Sequence, residues 1–236
     1  GTSGAAALVF RYRGTPMSAS LDVLTRAGTA VIADVIDSLG LVPRVLDNSI
    51  APVNFAGSAF AGPAYTITGQ THQWSGGGDR AKLAAIDGMS QGVVGLWAGG
   101  DIRGVCCFGD LLSSAMKARG CAGVVVDGGV RDVTYLRTLN LPILARYQTP
   151  AQAIGRWRVS AHQVPVRLRG ALEDGVTVDP GDIVVADDDG VIVVAANLLG
   201  KTIDEVSKWS ETESEARQEI IRGLPLLEAL AKFGHL

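Results

Sequence analysis

The passage 102–132 constrains the fold of this chain more than any other. An apolar run, 102–108, ends at Phe108, and Gly109-Asp110 then open a helical pattern that continues through Arg119 and is stopped by Gly120. Residues 122–126 form a short continuous apolar strand. Asp127-Gly128-Gly129-Val130-Arg131-Asp132 follows as a glycine-rich loop running into another helix. Strand, helix, strand, helix in this order predicts an α/β protein, and a strand apolar without alternation predicts a sheet buried on both faces.

The flanking segments extend the pattern. Between 16 and 40 the spacing predicts two helices. Pro16 stands in the first turn, Leu21 and Leu24 share a face, Gly28 is a stop, and Thr29 caps a second helix through Leu39 with Val31, Ile32, Val35 and Ile36 on one side. Residues 60–69 read as a strand, 79–89 as a helix, and 93–97 and 102–108 as strands around Ala98-Gly99-Gly100-Asp101. After Pro142 come short strands at 143–147, 164–168, 176–178, 183–186 and 191–195. Turn strings at 179–182 and 187–190 punctuate them. A charged amphipathic helix, 197–222, and an apolar segment, 224–233, close the chain. No linker or repeat divides it, so 16–236 is expected to be one domain, preceded at 1–15 by a flexible tail or an expression remnant.

Composition excludes several classes. Glycine supplies 30 of 236 residues, but without a G-X-Y period and with 47% hydrophobic residues, which rules out collagen and disorder. The 21 basic and 24 acidic residues give a net charge of −3 and no like-charge run, so no field for nucleic acid is expected. The apolar runs at 122–126 and 191–196 are far short of the ~20 residues of a membrane span. Cys106, Cys107 and Cys121 are odd in number and lie in apolar surroundings, which predicts buried thiols and a cytoplasmic protein.

Familiar catalytic strings are missing. There is no G-x-S-x-G, H-E-x-x-H or Walker A string, and His72, His162 and His235 have no zinc spacing. Gly76-Gly77-Gly78-Asp79-Arg80-Ala81 fits a loose dinucleotide string but lacks the preceding strand, so a loop near an active site is the better reading. Gly109-Asp110-Leu111-Leu112 is more informative. Amides at a helix N-terminus bind a carboxylate or phosphate, although Asp110 could simply cap its own helix. Arg131 offers a fork for a carboxylate and Asp132 a hard oxygen for Mg²⁺ or Mn²⁺, although such a pair could equally be a surface ion pair or a cap. Gly128 and Gly129 are expected to let a substrate approach the backbone. Both segments follow neighbouring parallel strands and should open at one sheet edge, where α/β proteins bind ligands.

Gly109 to Leu112, Ala118-Arg119-Gly120 and 123–132 together closely resemble the signature of the 4-hydroxy-4-methyl-2-oxoglutarate / 4-carboxy-4-hydroxy-2-oxoadipate aldolase family. That family also holds regulators of ribonuclease activity and proteins once mislabelled dimethylmenaquinone methyltransferases. The likeness extends to 29–34, to 180–191 and to the glutamate-rich C-terminal helix.

The resemblance implies a swivelling α/β/β/α sandwich with a C-terminal amphipathic helix. It also implies a homotrimer or homohexamer with sites at subunit interfaces, and a lyase that uses a divalent metal and no Schiff-base lysine. Carried over, the amides of Gly109, Asp110, Leu111 and Leu112 and the Arg131 guanidinium would hold the oxo-acid substrate. Asp132 would anchor Mg²⁺ or Mn²⁺, and Asp110 would activate a water as base. The products would be pyruvate and a second oxo acid, and oxaloacetate decarboxylation would share the same enolate. Glu211, Glu213 and Glu215 are candidates for an acid reaching a neighbouring subunit, each equally readable as a solvated helix face. Ser90-Gln91-Gly92-Val93 departs from the family's Pro-Gly-Asp turn, and the unusual 71–79 stretch bears on the acyl group accepted. The alternative is a non-catalytic, protein-binding regulator of the ribonuclease type, in which the resemblance implies an amide where Asp110 stands.

Overall fold

A computed structural model describes residues 11–12, 15–54, 59–73, 75 and 77–235. Most of the expected tail at 1–15 therefore lies outside the described residues, as does Gly76 of the loose glycine string. The strands β1 (Arg11–Tyr12) and β2 (Thr15–Pro16) pair as a hairpin and lead into α1 (Met17–Ser38). The short strands β3 (Arg44–Val45) and β4 (Ala51–Pro52) and the long β5 (Phe60–Thr71) follow. Next come α2 (Arg80–Asp87), β6 (Val94–Ala98), β7 (Cys106–Phe108), α3 (Asp110–Ala118), β8 (Gly123–Val130), α4 (Val133–Leu136) and β9 (Ile143–Gln148). The remainder comprises β10 (Trp157–His162), β11 (Val166–Leu168), β12 (Val176–Val178), β13 (Ile183–Asp187), β14 (Gly190–Val194), α5 (Leu199–Ile221) and α6 (Leu226–Phe233).

The parallel centre is β5-β6-β8-β9, with β7 parallel to the last residues of β8. β5 belongs to two surfaces: Phe60–Pro63 pairs antiparallel with β13, whereas Ile67–Thr71 pairs with β10, so the sheet curls. Side-chain alternation then sorts the core into layers. Val124 and Val126 face α2 and α3 together with Trp97, Phe108 and Met116. Val125, Leu96 and Leu144 face the opposite way, onto Val184 and Val193 and the β11–β12 hairpin. The other side of β13 and β14, through Ile183, Val185 and Ile192, packs on Ile32 and Val35 of α1 and Val206 of α5. Helix, sheet, sheet, helix is the expected α/β/β/α sandwich, with β8 buried on both faces.

Some boundaries differ from expectation. β8 runs on to Val130, so Asp127-Gly128-Gly129 is strand rather than loop, because Cys106 and Phe108 of β7 pair with Gly129 and Val130. A Cβ at Gly129 would stand 2.4 Å from the Tyr147 ring, and one at Gly128 3.0 Å from Cys107 Sγ. These glycines admit packing neighbours, not a substrate. Only Cys106–Phe108 of the run 102–108 is strand, and β10 was not anticipated.

Gly28 divides α1 as expected, at φ 85°. The second half is held by a distant residue: the Thr29 amide donates to Asp187 Oδ2 and its hydroxyl to Oδ1, both at 2.7 Å. Asp187→Ala removes this cap and should lower the unfolding free energy by about 1–2 kcal/mol, read from the urea midpoint.

Candidate functional site

Phe108 and Val130 end side by side, and the Arg131 amide donates to the Phe108 carbonyl at 3.2 Å. The segment that opens α3 and the one that opens α4 therefore emerge together at the sheet edge. Gly109 is the N-cap of α3. A Cβ there would lie 2.1 Å from Asp132 Oδ2 and 2.9 Å from Arg131 Cγ, so glycine is what lets both side chains close over the helix start. Asp132 takes the left-handed conformation (φ 58°), which is costly for a non-glycine residue and recurs at functional sites. Held so, its Oδ2 accepts from the Asp110 amide at 3.1 Å and lies 3.4 Å from Arg131 Nε.

Gly109 to Leu112, Arg131 and Asp132 thus meet, with one difference in roles. The Asp110 amide is engaged by Asp132, and the Leu111 amide donates to Asp110 Oδ1 at 2.7 Å. Two of the α3 amides expected to receive a substrate anion already hold carboxylates of the chain itself. Leu112 leans on the core, while Leu111 is 78% exposed. Arg131 is part-buried and Asp132 is exposed. Asp110, Leu112 and Arg131 line a cleft of about 230 Å³, and Asp110 and Asp132 border a shallower depression beside Tyr135.

Lys82 also lines the cleft, and sequence reasoning passed it over. It is 6% exposed, its Nζ donates to the Cys107 carbonyl at 2.8 Å, and burial pushes its pKa down. The signal was available: with Ala85, Ile86 and Met89 it falls on the i, i+3, i+4, i+7 face of the predicted helix 79–89. Asp79 caps α2 by accepting from the Lys82 amide. The cysteines are buried and free, as expected. Burial raises the Cys106 thiol and takes that of Cys107 up to about 12, so neither offers a thiolate at neutral pH.

Among the described residues no group of three or more His, Cys, Asp or Glu is placed to hold a metal ion. A metal here would rest on Asp132, with Asp110 close by, and complete its shell with water and substrate. Two carboxylates on adjacent segments are a donor set that suits Mg²⁺, which keeps several waters. Glu211, Glu213 and Glu215 lie on α5, which packs along α1 in another layer of the chain. No helix among the described residues is long and apolar enough to cross a membrane.

The α/β/β/α sandwich is the fold seen in solved structures of RraA-like proteins. The chain belongs to that family, described as Aldolase/RraA, which matches residues 29–193. It is 30% identical over 210 residues to protein DlpA of Legionella pneumophila, covering 89% of this chain but only 33% of DlpA. It is 31% identical over 207 residues to a Halalkalibacterium halodurans protein named "Putative 4-hydroxy-4-methyl-2-oxoglutarate aldolase", covering 86% of this chain and 90% of that one. Among solved structures it resembles Streptomyces coelicolor RraAS2, described as an unusual member of the RNase ES inhibitor RraA family. There the TM-score is 0.73 at 28% identity, over 84% of this chain and 96% of RraAS2. The family thus joins aldolases and ribonuclease regulators.

Proposed function

We propose that this protein is a lyase dependent on Mg²⁺ or Mn²⁺ that cleaves a 4-hydroxy-2-oxo di- or tricarboxylic acid to pyruvate and a second oxo acid, and that it also decarboxylates oxaloacetate. The observation that carries this reading is the convergence of Asp110, Arg131 and Asp132 over the start of α3. Arg131 binds the carboxylate at the pyruvate end of the substrate. The Leu111 amide fixes Asp110 through Oδ1, which leaves Oδ2 to accept, through a water, the proton of the C4 hydroxyl. C4 becomes a carbonyl as the C3–C4 bond breaks, and the bonding pair passes to C3 as the pyruvate enolate, which is then protonated. Arg131 offsets the developing negative charge. Asp132 would hold the metal, and its Oδ2 accepts from the Asp110 amide and lies beside Arg131. When bound, the metal supplies further electrostatic stabilisation of the enolate.

In this reading residues 16–236 act as one cytoplasmic domain assembled as trimers or hexamers with interface sites. The exposed Leu111 on the cleft and Tyr135 on the shallower depression beside Asp110 and Asp132 support a covering neighbour. The competing regulator reading is favoured by the likeness to RraAS2 and opposed by the carboxylate at Asp110.

A coupled lactate dehydrogenase assay separates the two. Purified protein with Mg²⁺ should release pyruvate from 4-hydroxy-4-methyl-2-oxoglutarate or oxaloacetate, and a chelator should reduce the rate at least about 100-fold. No metal-dependent pyruvate from either acid would favour the regulator.

A further inference from the structure

The lysine in the cleft has no part in the chemistry proposed above. Lys82 sits on the apolar face of α2, and its ammonium reaches inward, between the Cys107 carbonyl at 2.8 Å and the Trp157 ring, whose centroid is 5.3 Å away. A lysine serving only to cover apolar surface extends its head to water. This one is buried, and among the described residues no carboxylate forms an ion pair with it. Asp79, the nearest acid in sequence, directs its oxygens to the Lys82 and Val159 amides. An ammonium buried with one carbonyl and one ring face is incompletely compensated, which is costly unless an anion joins it. Arg131 lines the same cleft; burial lowers the lysine's pKa, the Asp79 charge offsets part of that fall, and the Arg131 charge adds to it.

We propose that Lys82 is the specificity residue that takes the second carboxylate of the substrate while Arg131 takes the first, so that the cleft selects dianionic over monoanionic 2-oxo acids. The inference rests on the 2-oxo-acid reading of the site and adds the group that reads the far end of the substrate. Arg131 lies beside Asp132, whereas Lys82 has no carboxylate paired with it among the described residues, so a dianion with one end on Arg131 serves the lysine with its other end, and a monoanion leaves it uncompensated.

Isothermal titration with 2-oxoglutarate and 2-oxopentanoate tests it, since these acids match in carbon count and differ in the terminal carboxylate. With Mg²⁺ present, the wild type should bind the dianion at least about tenfold more tightly, the scale of one charge-assisted contact. Lys82→Met, close in size and neutral, should bring the ratio near one by weakening the dianion alone, and Lys82→Arg should restore part of it. Equal weakening of both acids in Lys82→Met would assign Lys82 a structural role and overturn the proposal, as would an unchanged ratio. Should Lys82→Met fail to fold, the wild-type ratio still decides, because a value near one overturns the proposal. The lyase reading fails separately: a wild type that prefers the dianion but releases no metal-dependent pyruvate keeps the Lys82 assignment and loses the chemistry. A wild type that binds neither acid overturns both.

Discussion

Gly109→Ala is expected to cut pyruvate release at least about 100-fold, the cost of displacing reacting groups by about 1 Å, while the protein stays folded. The added Cβ would lie 2.1 Å from Asp132 Oδ2, 2.9 Å from Arg131 Cγ and 3.1 Å from Arg131 Nε, so both side chains must move. The backbone itself tolerates alanine, because φ at Gly109 is −137°. Strain in the main chain therefore contributes little, and the loss falls on the placement of Asp132 and Arg131. The melting temperature should change as for an ordinary point substitution, roughly 1 kcal/mol in stability. Measured together, kcat/KM and the thermal midpoint separate the two effects. An alanine variant with wild-type turnover would mean that the Asp132–Arg131 contact is not the working arrangement.

Asp127→Ala should show the opposite pattern. Asp127 stands in the signature string, four residues before Arg131, yet its side chain is 5% exposed and turned away from the cleft residues toward two arginines. Arg146 Nε lies 3.1 Å and Arg169 Nε 3.5 Å from Oδ1, and Oδ2 accepts the Arg169 amide at 3.0 Å. Neither Oδ1 nor Arg146 Nε is aligned for a hydrogen bond, so the pairing is mainly coulombic. Removing the acid leaves the Arg146 side chain, only 16% exposed, without its counter-charge. Breaking a buried pair from one side costs about 3 kcal/mol or more. Urea unfolding should report that loss, and turnover per folded molecule should stay within about twofold of wild type, as for a residue outside the reacting groups.

The layered fold was legible because its signals are local and repeated. Val124, Val125 and Val126 announce a strand buried on both faces, and Gly109, Gly120 and Gly28 mark helix ends where the chain has them. The site was legible for the same reason: two segments after parallel strands had to open at one edge. The remainder depended on tertiary partners. Nothing local shows that β7 pairs with Gly129 and Val130 and extends β8 through a glycine pair. Nor does the spacing of Asp110 and Asp132 show that one carboxylate would cap the start of the other's helix. Asp187 reads as one acid of a turn, yet its carboxylate holds Thr29, 158 residues earlier. Lys82 was visible as a charge on an apolar face, but whether such a lysine snorkels or stays buried is decided by the cleft around it.

The central claim is that Asp132 anchors the metal on which carbon–carbon cleavage depends. Its most direct test is the rate of pyruvate release by wild type and Asp132→Ala, titrated with Mg²⁺ and followed through lactate dehydrogenase. The wild type should show saturable activation by the metal, and the variant should lose at least about 100-fold with no recovery at high Mg²⁺, as for removal of an anchoring ligand. An Asp132→Ala protein that keeps full metal-dependent turnover would contradict the account.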